Sequence, residues 1–307
     1  MGKAIHDAFP DARAVFEVAD RALGLPLSRI CFEGPEEALR LTATTQPAVL
    51  TTSLAILAAM RSRLAPSWTS RIVCAAGHSL GEYTALVAAG ALDLEDALRA
   101  VRRRGEYMQE AVPAGQGAMA AVLGATLEEV ESLCREAAGD ECLVPANLNA
   151  PDQTVVAGTA AAVGRLGPLA RERGVRKVVP LPVSAPFHCP LMAPAQARLA
   201  SDLKRLPLRH PDFPIITNVS ARPEHEAEAL REALVQQVSA PVRWVEVVRR
   251  IQTLGADLLL EVGPGRVLTG LARRIAPELT ALNIDDPRSL EATLDVLGRR
   301  VAARSSG

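Results

Sequence analysis

The run Arg71-Ile72-Val73-Cys74-Ala75-Ala76 stops on Gly77-His78-Ser79-Leu80-Gly81, and a helix-forming stretch follows at once. A short apolar run ending at glycine reads as a buried strand over 71–76, and residues 79–90 read as a helix. Small residues on both sides of a serine suit the sharp turn that joins strand to helix where a serine must project from the end of a sheet. Such a turn sets the hydroxyl beside the positive end of the helix. It also places the Leu80 N–H to donate to an oxyanion on an acyl group carried by Ser79. Ser79-Leu80-Gly81-Glu82 equally fits a capping box with Ser79 as N-cap, so the motif by itself leaves both roles open.

The remaining pattern extends this strand–helix unit into an α/β chain. Residues 46–61 are apolar with Pro47 near their start, as expected of a buried helix, and a further helix is expected over 93–108. Gly115 and Gly117 mark a boundary. Beyond it the order reads β-α-β-β-α-β, with strands near 118–123, 143–148, 154–157 and 177–182 and helices near 127–137 and 160–173. Asn149-Ala150-Pro151-Asp152 supplies the turn between the middle strands. That order suits a ferredoxin-like unit. A helix over 190–206, a strand over 213–219, a helix near 231–237, a strand over 256–262 and a helix over 266–275 complete the expectation. The expected fold class is α/β: an α/β-hydrolase-like large domain (residues 1–115 and 188–307) with an inserted ferredoxin-like small domain (residues 116–187).

Composition narrows function mainly by exclusion. A net charge of −1 gives no basis for nucleic-acid binding. The five cysteines contain no CxxC pair and are odd in number, so neither a metal site nor a disulfide framework is expected, and a reducing cytoplasm fits. No signal pattern opens the chain, and no apolar run is expected to approach about 20 residues, so no membrane span is expected. The tail from Ala302 is expected to fray. Gly263-Pro264-Gly265 reads as a tight turn before a helix, since the Lys-Ser/Thr of a phosphate loop is missing.

A serine nucleophile needs a base. His6, His210 and His225 lie in polar, loop-like surroundings, and His78 should leave the turn in a different direction from Ser79. His188 stands in a proline-flanked loop between a strand and a helix, where catalytic groups are common. A histidine that merely packs is the other reading. In the helix after Asp93, Arg104 falls on the apolar stripe of Leu94, Ala97, Leu98, Val101 and Met108. An inward guanidinium must find an anion. It could be a structural ion pair, a side chain that snorkels to solvent, or a bidentate clamp for a substrate carboxylate.

Taken together, Thr45-Gln46-Pro47-Ala48, Gly77-His78-Ser79-Leu80-Gly81-Glu82-Tyr83, Arg104-Gly105-Glu106-Tyr107-Met108, Asn147-Leu148-Asn149-Ala150-Pro151-Asp152-Gln153, Phe187-His188-Cys189-Pro190, Pro241-Val242-Arg243-Trp244 and Glu261-Val262-Gly263-Pro264-Gly265 resemble the malonyl-CoA:acyl carrier protein transacylases and the acyltransferase domains of polyketide synthases. The resemblance spans nearly the whole chain. It implies Ser79 as acylated nucleophile, His188 as base, and a backbone carbonyl at Gln237 orienting the histidine without an acidic third member. It further implies that Arg104 grips the malonyl carboxylate, that Gln46 lines the same pocket, and that Phe187 favours malonyl over methylmalonyl.

The partners it implies are malonyl-CoA and a phosphopantetheinylated acyl carrier protein. It implies no metal or bound cofactor, coenzyme A being a substrate, and a monomer serving fatty-acid or polyketide synthesis. Family members open on a strand and a Phe-Pro-Gly-Gln-Gly-Ser-Gln type loop that lends a second oxyanion donor. Here Met1-Gly2 aligns just after that loop, so an upstream in-frame extension is expected. Two other readings fit parts of the pattern. A serine hydrolase would have no need of an inward cation, and a carrier-binding module would have lost catalysis.

Overall fold

The computed structural model describes residues 1–183 and 185–305. Four helices lead in: α1 (Lys3–Ala8), α2 (Pro10–Leu23), α3 (Leu27–Glu33) and α4 (Glu36–Arg40). Next come α5 (Thr42–Arg61), a 3₁₀ turn at Pro66–Arg71, β1 (Ala75–Ala76), α6 (Gly81–Ala88) and α7 (Leu94–Glu110). A continuous stretch follows: β2 (Gly117–Leu123), α8 (Leu127–Ala138), β3 (Leu143–Ala150), β4 (Gln153–Thr159), α9 (Ala160–Glu172) and β5 (Lys177–Pro180). The chain closes with α10 (Ala193–Leu203), β6 (Ile215–Ile216), β7 (Pro223–Glu224), α11 (Ala227–Gln237), α12 (Trp244–Thr253), β8 (Leu258–Val262), α13 (Val267–Ile275), β9 (Thr280–Ile284) and α14 (Pro287–Ser305).

The β-α-β-β-α-β order predicted between the glycine boundary and His188 is the order observed. Its strands form an antiparallel sheet, β3-β4-β2-β5. β2 pairs with β4 without interruption from Gly117↔Thr159 to Leu123↔Gln153. Alternation puts Ala120, Val122 and Val156 on one face, against Val130, Leu133 and Leu166 of the two helices. α8 opens on a complete capping box, Thr126 with Glu129.

The strands nearest Ser79 are much shorter than predicted. The run over 71–76 begins as the end of a 3₁₀ turn, and only Ala75–Ala76 pairs, in parallel, with Ile215–Ile216. Likewise only two residues of the run over 213–219 are strand. An apolar run signals burial; pairing also requires a neighbour at the right distance, and here the backbone turns away first.

α5 starts at Thr42, four residues before the predicted start, so Pro47 sits inside the helix rather than at its first turn. The Thr44 and Thr45 amides both bond the Leu41 carbonyl, which supplies the missing turn. α5 is long and apolar enough to cross a bilayer, contrary to the expectation of no such run, yet 72% of that stretch is buried within the chain. The predicted helix over 190–206 divides into a 3₁₀ turn at Pro190–Met192 and α10. The expected frayed tail is helical in backbone to Ser305, and residues 306–307 lie outside the described residues.

Candidate active site

β1 delivers the chain to Gly77, and α6 carries it away from Gly81. A Cβ on Gly77 would overlap the Gly81 backbone, so the two ends of the turn touch and the first must be glycine. Between them Ser79 has φ 52°, in the left-handed region, a strained conformation for a serine that surrounding structure must hold. The capping-box alternative does not form: α6 has no side-chain cap, and the Glu82 carboxylate turns inward to the Asn218 N–H (2.9 Å) and the Gln237 amide (2.8 Å).

His188, also at positive φ (59°), arrives from the loop after β5. Its Nε2 lies 2.7 Å from Ser79 Oγ, and its Nδ1 lies 2.8 Å from the Gln237 carbonyl. A carbonyl can only accept, so Nδ1 carries the proton and Nε2 is left to accept from the serine hydroxyl. Burial first, and the Arg104 charge second, hold the imidazole down to about 3. It is therefore a neutral base at neutral pH.

Arg104 is almost fully buried, on the inward face of α7. Gly105 beside it lets α7 approach closely, since a Cβ there would overlap the backbone of Thr42 and Ala43. The approach brings Arg104 to Gln46: Nη1 donates to Gln46 Oε1 (2.8 Å), and Nη2 donates to Gln237 Oε1 (2.8 Å) and Ser79 Oγ (3.0 Å). All these acceptors are neutral. Glu82 forms no ion pair with Arg104 among the described residues; the Gln237 amide bonds both, and burial pushes the Glu82 carboxyl up to about 7. Burial likewise lowers the guanidinium from its ordinary range.

The site thus brings together Gln46, Ser79, Arg104 and His188 through their side chains, and Gln237 through both the predicted carbonyl and its side-chain amide. Gln46, Ser79, Arg104 and His188 border a cleft of about 590 Å³ that Leu80, Met108 and Phe187 also line, with Gln237 behind it. Leu80, the sixth predicted residue, is present through its backbone. Ser79 N–H and Gly81 N–H are both bonded, whereas Leu80 N–H has no acceptor among the described residues. His78 does leave in another direction, to Asn149 (2.9 Å) and the Trp244 ring.

The sequence reading missed Asn218 and the inward role of Glu82. The one signal for Asn218 was a polar residue within the predicted strand 213–219. Among the described residues no group of three or more His, Cys, Asp or Glu is placed to hold a metal.

A strained serine, a neutral imidazole in contact with it and a buried guanidinium without a carboxylate partner are together suited to serine-dependent chemistry on an anionic substrate. The chain belongs to the acyl transferase domain family, whose model matches residues 1–281. It is 42% identical to the malonyl CoA-acyl carrier protein transacylase of Bacillus subtilis over 97% of this chain and 92% of that one. It is also 42% identical to the Escherichia coli K12 protein of that name, over 94% and 92%. Among solved structures it resembles the acyl-carrier-protein S-malonyltransferase of Bartonella henselae (TM-score 0.93, 43% identity, 97% and 95% covered). A malonyl-transacylase in complex with its type II acyl-carrier protein is equally similar (TM-score 0.92, 43% identity, 96% and 94% covered).

Proposed function

We propose that this chain transfers a malonyl group from malonyl-CoA to the phosphopantetheine thiol of an acyl carrier protein, through an ester on Ser79. The observation that carries the reading is Arg104, a buried guanidinium without a carboxylate partner, 3.0 Å from the serine oxygen. A lone buried cation costs several kcal/mol, and the carboxylate of a malonyl group would relieve that cost at the distance where its thioester meets Ser79. The names of the relatives point the same way.

The reaction is ping-pong. The Ser79 hydroxyl proton passes to His188 Nε2 as Oγ attacks the thioester carbonyl. The resulting oxyanion meets the Leu80 N–H. Collapse breaks the C–S bond, and His188 returns the proton to the coenzyme A sulfur. The carrier thiol then gives its proton to His188, its sulfur attacks the ester, and Oγ leaves with that proton. Pairing of Arg104 with the malonyl carboxylate removes part of the field that depresses the imidazole, so the correct substrate strengthens its own base. Side chains and the Leu80 and Gln237 backbone supply each step in this reading, with coenzyme A as a substrate and no metal or bound cofactor invoked.

We read residues 1–115 and 188–307 as an α/β-hydrolase-like domain, supported by the strand–serine–helix turn. We read 116–187 as a ferredoxin-like insertion, supported by the β3-β4-β2-β5 order with two helices. The chain is taken to act as a monomer.

The test is kcat/KM for malonyl-CoA and acetyl-CoA. Wild type should prefer malonyl by roughly 100-fold or more, because acetyl leaves Arg104 unpaired. Arg104→Ala should erase that preference, and Arg104→Lys should recover little of it, since a point charge cannot reproduce the fork. An unchanged ratio in Arg104→Ala would make Arg104 structural and remove the dicarboxylate assignment.

A further inference from the structure

The β1–β6 ladder ends at Ala76↔Ile216, because the next residues of the β1 chain bend into the serine turn. Backbone pairing cannot follow a chain with φ 52° at Ser79. Where the ladder stops, a side chain takes over. Asn218, two residues past β6 and fully buried, donates from Nδ2 to the Gly77 carbonyl (2.8 Å) and accepts at Oδ1 from the Ser79 N–H (2.6 Å). A planar carboxamide has one donor side and one acceptor side, as a peptide group does. It therefore serves both ends of the turn at once.

The amide is itself fixed. The Asn218 N–H donates to the Glu82 carboxylate (2.9 Å), and its carbonyl accepts from the Arg243 N–H (3.1 Å). Its bond to Ser79 decides which turn amide remains. Ser79 N–H is occupied by Asn218 and Gly81 N–H by the His78 carbonyl, while Leu80 N–H, the amide between them, has no acceptor among the described residues.

We infer that Asn218 is a positioning residue for acyl transfer: its side-chain amide holds the strained Ser79 turn so that the unbonded Leu80 N–H faces the carbonyl oxygen of the acyl group. The inference rests on the reading of Ser79 as the acylated residue. It has a signature that a specificity residue lacks. The oxyanion is common to every acyl group, so loss of Asn218 must slow malonyl and acetyl transfer by one factor. Carboxylate binding, set at Arg104, must stay nearly unchanged.

The experiment is single-turnover acylation of the full chain followed by intact mass, with malonyl-CoA and acetyl-CoA. It compares wild type, Asn218→Ala and Asn218→Asp. Alanine leaves the Gly77 carbonyl and Ser79 N–H buried without partners. Aspartate keeps the acceptor for Ser79 N–H but opposes an oxygen to the Gly77 carbonyl, and its shape safeguards folding if alanine does not fold.

The variants should reach one adduct per chain, but more slowly, by about 100-fold for alanine, the order seen when an oxyanion donor is lost. The malonyl-to-acetyl ratio should stay as in wild type, and the malonyl-CoA concentration for half-maximal rate should move less than about threefold. Variants as fast as a wild type that acylates overturn the inference alone. So does a reduced adduct yield formed at wild-type rate, which marks a merely structural residue, or a changed malonyl-to-acetyl ratio. A wild type that takes no adduct overturns the acylation reading and this inference with it.

Discussion

The β2–β5 sheet and the turn around Ser79 are built on opposite plans. In the former, β2 and β4 pair over seven consecutive positions, backbone to backbone, above an apolar layer. In the latter, two strands of two residues meet, and the amides of Asn218 and Gln237, the carboxylate of Glu82 and the guanidinium of Arg104 supply the bonds that a ladder would have made. A ladder is stable and tolerant, since each bond is one among many. A buried side-chain network is high-stakes, because every member left unpaired costs its full desolvation. Around Ser79 the second plan holds a strained serine.

The side-chain network around Ser79 should be most sensitive at His188. His188→Ala should lower kcat/KM for malonyl-CoA by about 10⁴-fold or more, as when the base of a serine pair is removed. A loss under tenfold would mean that the contact to Ser79 has no chemical role. The buried imidazole should also leave a mark on stability. Its folded value near 3 lies below the ordinary 6.5. The unfolded chain therefore binds a proton first as pH falls, and the contribution present above about 6.5 is lost toward 3. Urea unfolding of wild type and His188→Gln should show the wild type losing ground between pH 7 and pH 4. A constant difference would refute the buried neutral histidine.

The sheet region should respond in the other currency. Leu166 is fully buried between α9 and the sheet. Leu166→Ala should cost about 2–5 kcal/mol in urea unfolding, while kcat/KM per folded molecule changes less than about threefold. A large drop in kcat/KM with unchanged stability would show that the two regions are not independent.

The same division governs what was legible in the sequence. The small unit was readable in element order because alternation, caps and turn residues are local signals. Gly77 to Gly81 and the inward Arg104 were readable for the same reason. Ser79 and His188 are 109 residues apart, and only a motif resemblance joined them before the fold did. Asn218 and Glu82 escaped because their roles are tertiary: nothing local shows that an asparagine after Ile215-Ile216 ends beside Gly77, or that a first-turn glutamate points inward. The two-residue strands escaped because apolarity reports burial and is silent on pairing.

The central claim is that Ser79 carries the malonyl group, and intact mass spectrometry after mixing the chain with malonyl-CoA tests it most directly. One malonyl group per chain should appear, map to Ser79 on digestion, and vanish in Ser79→Ala. A malonyl adduct that persists in Ser79→Ala, or a wild-type chain that remains unmodified while turning over malonyl-CoA, would contradict the account.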